Sequence, residues 1–256
     1  MAEITRTLAK TLQELAGTAA GEVREMLGDK LHPLRAARRL GVLEKAVQLL
    51  REVGGRLVTV PANILLPILD HASMEDNAQM QAAWAALLAN AARQEGGVTV
   101  APVFVEIMKQ LSAKEATFLL CLHEYVEKEY GSGPDELELL AAQSIPLGTD
   151  VDLLIKYLQL GLGRPKESRE QALKNIPGDL RDFMVILDNL ERLNLVAYRL
   201  DTEAPGWGAP ADVKGMDPVR IYHLTMLGYQ FIRACRPPQK AAAGGRKTPR
   251  RSLRLN

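Results

Sequence analysis

The sequence of 256 residues is poor in aromatic residues and in cysteine, and each shortage excludes a class of protein. Aromatic residues make up only 5%, while alanine and leucine are abundant, which favours helices over the β-branched and aromatic strands of an all-β chain. The two cysteines, Cys121 and Cys235, lie far apart and outside any CxxC pair. This spacing argues against a disulfide scaffold and against a zinc site, so a reducing cytoplasm is the expected location.

The sequence also lacks an uncharged apolar run long enough to span a membrane. Its first residues, MAEITRTLAKTLQEL, carry polar side chains every few positions, which argues against a signal peptide. Residues 236–256 hold seven Lys or Arg and no acid, and the overall charge of +1 less these seven leaves −6 for the rest. We therefore predict a mildly acidic folded body and a disordered basic tail, residues 237–256.

Residues 1–55 are predicted to form N-terminal helices. Apolar residues recur at steps of four and three from Ile4 to Met26, interrupted by Gly17 and Gly21, which favours one helix or two joined near the glycines. This stripe suits packing against another helix and would equally suit an oligomer interface. A second helix is predicted from Leu34 to Val53, and its arginine-rich face is expected to be solvated.

The stretch from Val60 to Ala92 carries the clearest helix signals. The apolar spacing around Trp84 predicts an amphipathic helix, with Ser73 as a side-chain cap just before it. Pro61 and Pro67 precede this helix, and each proline removes a backbone donor. The segment that contains them is therefore not expected to form a long regular helix.

The helical core is predicted to extend over residues 56–146. Pro102 is placed to begin a helix, and Ser112 with Glu115 forms a capping-box pattern ahead of the next one. Four helical segments with short connections between Pro61 and Tyr130 predict a bundle-like core.

Residues 147–236 are predicted to form a winged-helix-like module. A leucine-rich helix from Asp179 leads to strand-like residues from Val196 to Leu200, a Gly- and Pro-rich loop, and a second strand-like run from Val219 to Leu224. Thr225 is expected to cap a final helix. The expected fold is therefore mainly α, a helical bundle-like core followed by a winged-helix-like C-terminal module with a small two-stranded β wing.

Two blocks of the sequence together resemble one family. The first is VPANILLPILDHAS followed by WAALLAN, and the second is NLERLNLV with YHLTMLG. On these residues the chain resembles the Abi-alpha (abortive infection alpha) family, which is named from bacterial phage-resistance genes. The resemblance implies antiviral defence and supplies no catalytic residues. Its signature residues are expected to be structural, and they are Pro61, Pro67, Trp84, Leu87, Leu88 and Asn90.

We expect no catalytic, cofactor or metal site. His123-Glu124 lacks the second histidine that helical zinc binding requires, so His123 is expected on the helix surface or partly buried. The glycine-containing run from Gly161 to Lys166 lacks both the GK[ST] ending of a phosphate loop and a preceding strand. Cys121 falls in the apolar spacing of its helix and is expected to be an inert core residue. These observations favour a protein that is not an enzyme.

The charges on the candidate recognition helix indicate whether the winged-helix-like module binds nucleic acid. Its candidate helix offers Arg181, Asn189 and Arg192, but acidic residues outnumber basic ones along it, and DNA binding depends on cations at the phosphates. The pattern disfavours nucleic-acid reading and favours packing or docking against protein. The basic tail offers further candidates for contact with nucleic acid or an anionic membrane, namely Lys240, Arg246, Lys247, Arg250 and Arg251.

The sequence therefore favours a cytoplasmic phage-defence protein that acts through protein contacts, with a protein partner or by self-association. Two alternatives stay open at this point. One is a DNA-binding regulator that uses the winged-helix-like module. The other is a membrane-acting effector that makes peripheral contact through the N-terminal helix.

Overall fold

A computed structural model describes residues 13–28, 32–54, 56–93, 98–130, 185–201 and 219–239. Within these ranges the chain is mainly helical with a small two-stranded antiparallel sheet, as predicted. Residues 13–16 are helical and lead into a 3-10 turn, Gly17–Ala19. The elements that follow are α1 (Ala20–Leu27), α2 (Pro33–Val53), α3 (Ala62–Met74), α4 (Ala78–Ala91), α5 (Pro102–Met108), α6 (Ala113–Tyr130), α7 (185–192), β1 (Val196–Asp201), β2 (Val219–Leu224) and α8 (Met226–Cys235).

The helix α4 lies at the centre of the hydrophobic core. Every residue from Trp84 to Asn90 is buried, so this part of the helix has no solvent-facing side. α2, α3, α6 and α8 pack around it. A helix that is apolar on all sides is expected to be enclosed in this way. The helix predicted around Trp84 is confirmed, but from Trp84 to Asn90 it is enclosed on all sides instead of being amphipathic, while its first two residues are exposed.

The expectation for the segment before α4 is wrong, because α3 is a regular helix that contains Pro67. Pro61 lies at its N-cap, where no intrahelical donor is needed, and its carbonyl accepts from the amides of Ile64 and Leu65 at 2.9 and 3.0 Å. Pro67 costs about 3 kcal/mol in a helix interior. Burying a single Ile or Leu side chain contributes about 1.5–3 kcal/mol, and α3 buries two of each. The free energy gained by burying these four side chains therefore exceeds the cost of placing Pro67 inside the helix.

The expected cap of α4 is also wrong. Ser73 is buried within α3, where its hydroxyl donates to the carbonyl of Asp70 at 2.6 Å. Asn77 caps α4 instead, since its Oδ1 accepts from the amides of Gln79 at 2.9 Å and Met80 at 3.1 Å. Asparagine is as favourable at this position as serine. The helix starts later than predicted because α3 runs through the expected cap.

Three other predicted helix starts are confirmed. The amide of Ser112 donates to Glu115 Oε2 at 2.6 Å, and the amide of Glu115 donates to Ser112 Oγ at 3.3 Å, which is the reciprocal pattern of a capping box. Pro102 occupies the first turn of α5, where its missing donor costs nothing. Thr225 Oγ1 accepts from the amide of Gly228 at 2.9 Å and caps α8.

The C-terminal elements follow the predicted order of helix, strand, strand and helix. β1 pairs with β2 in antiparallel register, with Val196 opposite Leu224. Asn194 turns the chain from α7 toward β1 with φ 56°, a conformation that asparagine tolerates better than most residues. Gly228 in α8 lies against the carbonyl of Leu195, and a Cβ at this position would overlap that oxygen. Glycine therefore allows α8 to lie directly against the start of β1.

The N-terminal segment packs on the same core. Leu15, Ala19 and Val23 are buried, so the described part of the predicted apolar stripe faces inward. Gly17 has φ 51°, the left-handed region that suits glycine, and it interrupts the helix as expected. The amide of Val60 donates to the carbonyl of Leu15 at 2.8 Å. A single core cluster includes residues from all three predicted folded units.

Several predictions fall outside the described residues. These are the beginning of the apolar stripe, the run from Gly161 to Lys166, the start of the leucine-rich helix at Asp179, the loop 202–218 and the tail from 240 onward.

Candidate functional site

A cavity of about 320 Å³ lies beside α4, between it and α2, α5, α6 and α8. Ala82 and Ala83 on α4 and Ala116 on α6 form part of its wall, and their short side chains leave space that a longer residue would fill. The rest of the wall is mostly aliphatic, thioether or aromatic, and it includes Leu49, Met80, Met108, Leu119, Leu120 and Phe231. No short stretch of sequence could have indicated this cavity, because five helices contribute to it.

Three polar side chains reach the cavity, and they are Lys45, Gln79 and Arg236. Two of them are cationic and no acidic residue lines the cavity; since Arg236 is paired with Glu127, Lys45 is the cation whose charge favours an anion. Lys45 is exposed and forms no ion pair within the described part of the chain. An apolar body with a few polar groups at its edge is the usual form of a small-molecule site.

A partly buried polar cluster holds Arg236 at the edge of the cavity. Its Nη1 donates to Glu127 Oε2 at 2.8 Å and to His123 Nδ1 at 2.8 Å. The ring of His123 stacks on that of Tyr229 with 5.1 Å between centroids and 12° between planes. This cluster joins α6 to α8 and to the residue that follows α8.

Burial determines the protonation state of His123. Its exposed fraction is 1%, so the expectation of a surface or partly buried side chain is wrong. Burial lowers the pKa of His123 from 6.5 to about 4, against the opposing effect of the Glu127 carboxylate and with a smaller contribution from Arg236. His123 is therefore neutral at pH 7, and its Nδ1 lone pair accepts from the guanidinium of Arg236.

Asn90 connects α4 to the end of α8. Its Nδ2 donates to the carbonyl of Ala234 at 2.8 Å and to the carbonyl of Arg236 at 2.9 Å. Arg93 extends the same connection, since its Nη1 donates to the carbonyl of Gln239 at 3.1 Å. The last carbonyls of a helix have no intrahelical partner, and Asn90 satisfies two carbonyls at this end of α8. It fixes the wall of the cavity that α8 supplies.

A known protein family matches most of this chain. The sequence model described as abortive infection alpha matches residues 35–235, from the first turn of α2 to the end of α8. The chain belongs to the abortive infection alpha family. The resemblance stated from the sequence is thereby confirmed, and membership implies a role in abortive infection, a defence against phage. No curated protein and no solved structure matches the chain.

Four of the six signature residues of this Abi-alpha protein lie on α4, at the centre of its fold. Trp84 is buried and its ring stacks on that of His71, with 6.4 Å between centroids. Leu87 and Leu88 are fully buried in α4, and Asn90 holds the end of α8. The two prolines begin and interrupt α3, as described above. The four residues on α4 therefore contact other parts of the fold.

Two nucleic-acid candidates are engaged within the Abi-alpha fold. Asn189 Nδ2 donates to Glu115 Oε1 at 2.6 Å, and Arg192 Nη2 donates to Gln110 Oε1 at 3.0 Å. Arg192 Nη2 also donates to Asn189 Oδ1 at 2.7 Å. These bonds join α7 to the junction of α5 and α6. The other candidates lie outside the described residues, and they are Arg181, Lys240, Arg246, Lys247, Arg250 and Arg251.

The two cysteines of the Abi-alpha protein are both thiols in apolar surroundings. Cys121 is buried, as expected of a core residue. Cys235 lines the cavity, and burial raises the pKa of its thiol, which keeps it protonated. Among the described residues, no three His, Cys, Asp or Glu side chains lie close enough together to hold a metal ion. None of the helices described here combines the length and the apolar content needed to cross a membrane.

Proposed function

We propose that this Abi-alpha protein defends against phage without catalysing a reaction, by binding other protein chains in the cytoplasm. The family match carries the defence role. The engagement of its polar side chains supports the absence of catalysis. His123 is bound to Arg236, Glu115 to Asn189, and Arg39 to Asp70 at 3.3 Å, so side chains able to transfer protons hold helices together instead.

The outer face of α2 offers a surface for such contacts. Leu34 is 64% exposed and Leu40 is 36% exposed, and three further apolar residues of this face, Pro33, Ala37 and Gly41, are exposed beside them. Grouped apolar residues on a surface are characteristic of contact sites, whereas single ones are common. This group supports the proposal that α2 binds a partner chain or a second copy.

The proposal is tested by phage challenge of cells that carry the intact gene, the deleted gene or a Leu34→Ser, Leu40→Ser double variant. We expect the deletion to abolish protection and the double variant to reduce it while the purified protein keeps its circular dichroism spectrum. Val103→Ser is the matched control, since Val103 is also exposed but lies on α5. Nuclease or nucleotide hydrolase activity that a single polar substitution removes would show that the non-catalytic part is wrong.

A DNA-binding regulator is the second candidate, because α7, the two strands and α8 follow the order of a winged helix. The internal bonds of Asn189 and Arg192 weaken it, since a reading helix needs free donors for bases and phosphates. Sequence-dependent DNA binding that is lost in Arg181→Ala and Arg192→Ala but survives deletion of the basic tail would favour this candidate.

The membrane-effector alternative has less support. It needs the apolar stripe of the N-terminal segment at a lipid surface, and Leu15, Ala19 and Val23 of that stripe are buried in the core. If the intact protein bound anionic vesicles and lost this binding on deletion of residues 1–27, the result would support the membrane-effector alternative.

A further inference from the structure

We propose that the cavity beside α4 binds a single-chain fatty acid, with the acyl chain among the apolar walls and the carboxylate at Lys45. Two observations point to this ligand class. The cavity of about 320 Å³ is walled almost entirely by apolar side chains, and the charged side chains that reach it, Lys45 and Arg236, are both cationic.

The walls favour an acyl chain over water. Each water takes about 30 Å³ in the liquid and needs two to four polar partners in a cavity, so a cavity of about 320 Å³ corresponds to roughly ten waters. Only three polar side chains reach it. Water against these walls has few protein partners, and an apolar group that displaces such water gains free energy. Met80 and Met108 in the wall have flexible thioethers that adapt to the shape of a chain.

The polar edge favours a carboxylate head group. Arg236 is already bound by Glu127 and His123, which leaves Lys45 as the cation available to a ligand. Gln79 lies at the same cavity, and its amide can donate to the second carboxylate oxygen. Because Glu127 compensates the charge of Arg236, a cationic head group would meet the like charge of Lys45, with no acid in the lining to offset it. The charges therefore select an anionic amphiphile over a cationic one.

The size of the cavity favours one chain. Small-molecule sites occupy about 300–1,000 Å³, and this cavity lies at the lower end of that range. A two-chain phospholipid would exceed it.

Binding to the purified full-length protein tests the proposal, and it does so independently of any role in phage defence. Isothermal titration is carried out with dodecanoate, dodecanol and dodecyltrimethylammonium, each below its micelle concentration. We expect dodecanoate to bind at one site per chain, dodecanol more weakly, and the cationic amphiphile least. Failure of dodecanoate to bind would overturn the proposal, and equal binding of the cationic amphiphile would overturn the assignment of the head group.

Two variants locate the site. Lys45→Gln removes an exposed charge without disturbing the core, and we expect about a two- to fivefold loss of dodecanoate affinity with dodecanol unchanged, as for an exposed ion pair. Ala83→Leu with Ala116→Leu fills the cavity and should abolish binding of both. Ala62→Leu, at the exposed start of α3 and outside the cavity lining, is the matched control and should bind normally. If the filled variant keeps its circular dichroism spectrum and still binds dodecanoate, the ligand lies elsewhere and the proposal is wrong.

Discussion

Replacing Asn90 with alanine removes the side chain that joins α4 to the end of α8. The two bonds from Asn90 Nδ2 reach the carbonyls of Ala234 at 2.8 Å and Arg236 at 2.9 Å. Asn90 is buried, and Ala234 is fully buried, so water cannot readily replace the lost donor. The carbonyl of Ala234 then lacks a partner in the core.

The magnitude follows from these contacts. A buried polar group left without its partner costs about 1–3 kcal/mol, and the carbonyl of Arg236 is closer to solvent, so its lost bond costs about 0.5–1.5 kcal/mol. We expect Asn90→Ala to lower the free energy of unfolding by about 2–4 kcal/mol. Asn90→Asp keeps the volume but sets a carboxylate against two carbonyl oxygens at the negative end of α8, and it should cost more than alanine at pH 7.

Urea denaturation followed by circular dichroism measures both variants. Gln48→Ala is the control, since Gln48 donates to Glu52 on the exposed face of α2 and its loss should change stability by less than about 0.5 kcal/mol. The Asn90→Asp protein should regain stability as the pH falls, because a protonated carboxyl can donate one of the two bonds. If Asn90→Asp matches the wild-type protein at pH 7, the reasoning from these two bonds is refuted.

Four further substitutions test the packing and the charge state. Gly228→Ala should lower the free energy of unfolding by several kcal/mol, because the added Cβ would overlap the carbonyl of Leu195. Gly41→Ala, with no atom near the added Cβ, should stabilise α2 by about 0.5–1 kcal/mol. Thermal unfolding measures both changes. Trp84→Ala should lower the free energy of unfolding by about 3–5 kcal/mol in urea. Folding lowers the pKa of His123 from 6.5 to about 4, so as the pH falls His123 is protonated in the unfolded chain before it is protonated in the folded one. The free energy of unfolding should therefore be highest above pH 6.5 and decline toward pH 4 by on the order of 3 kcal/mol. His123→Phe should flatten that decline, and an unchanged pH profile would contradict the stated cause.

Local signals in the sequence predicted local structure well. The capping box of Ser112 and Glu115 and the cap at Thr225 involve partners three residues apart, so the short stretch that contains them determines the geometry. The two strands also follow from their own composition and from the loop between them. Predictions of this kind need no knowledge of the rest of the fold.

Predictions that depended on tertiary burial were less successful. Pro67 was expected to prevent a long regular helix, but the burial of its neighbours on α3 outweighs one missing bond. His123 was expected near the surface, yet α8 covers it. Asn90 was identified only as a signature residue, because its bonding partner Ala234 is 144 positions away. The cavity could not be predicted at all, since it exists only where five helices meet.

The position of α8 has a consequence for synthesis of the protein on the ribosome. The side chain of Asn90 can form its hydrogen bond only after Ala234, 144 residues further along the chain, has been synthesised. At about 5–20 residues per second, this corresponds to a delay of roughly 7–30 s. During that time the side of α4 that α8 covers stays uncovered in the nascent chain. Slower translation would lengthen this interval, so the time for which this side of α4 stays uncovered depends on how fast the 144 residues between Asn90 and Ala234 are made.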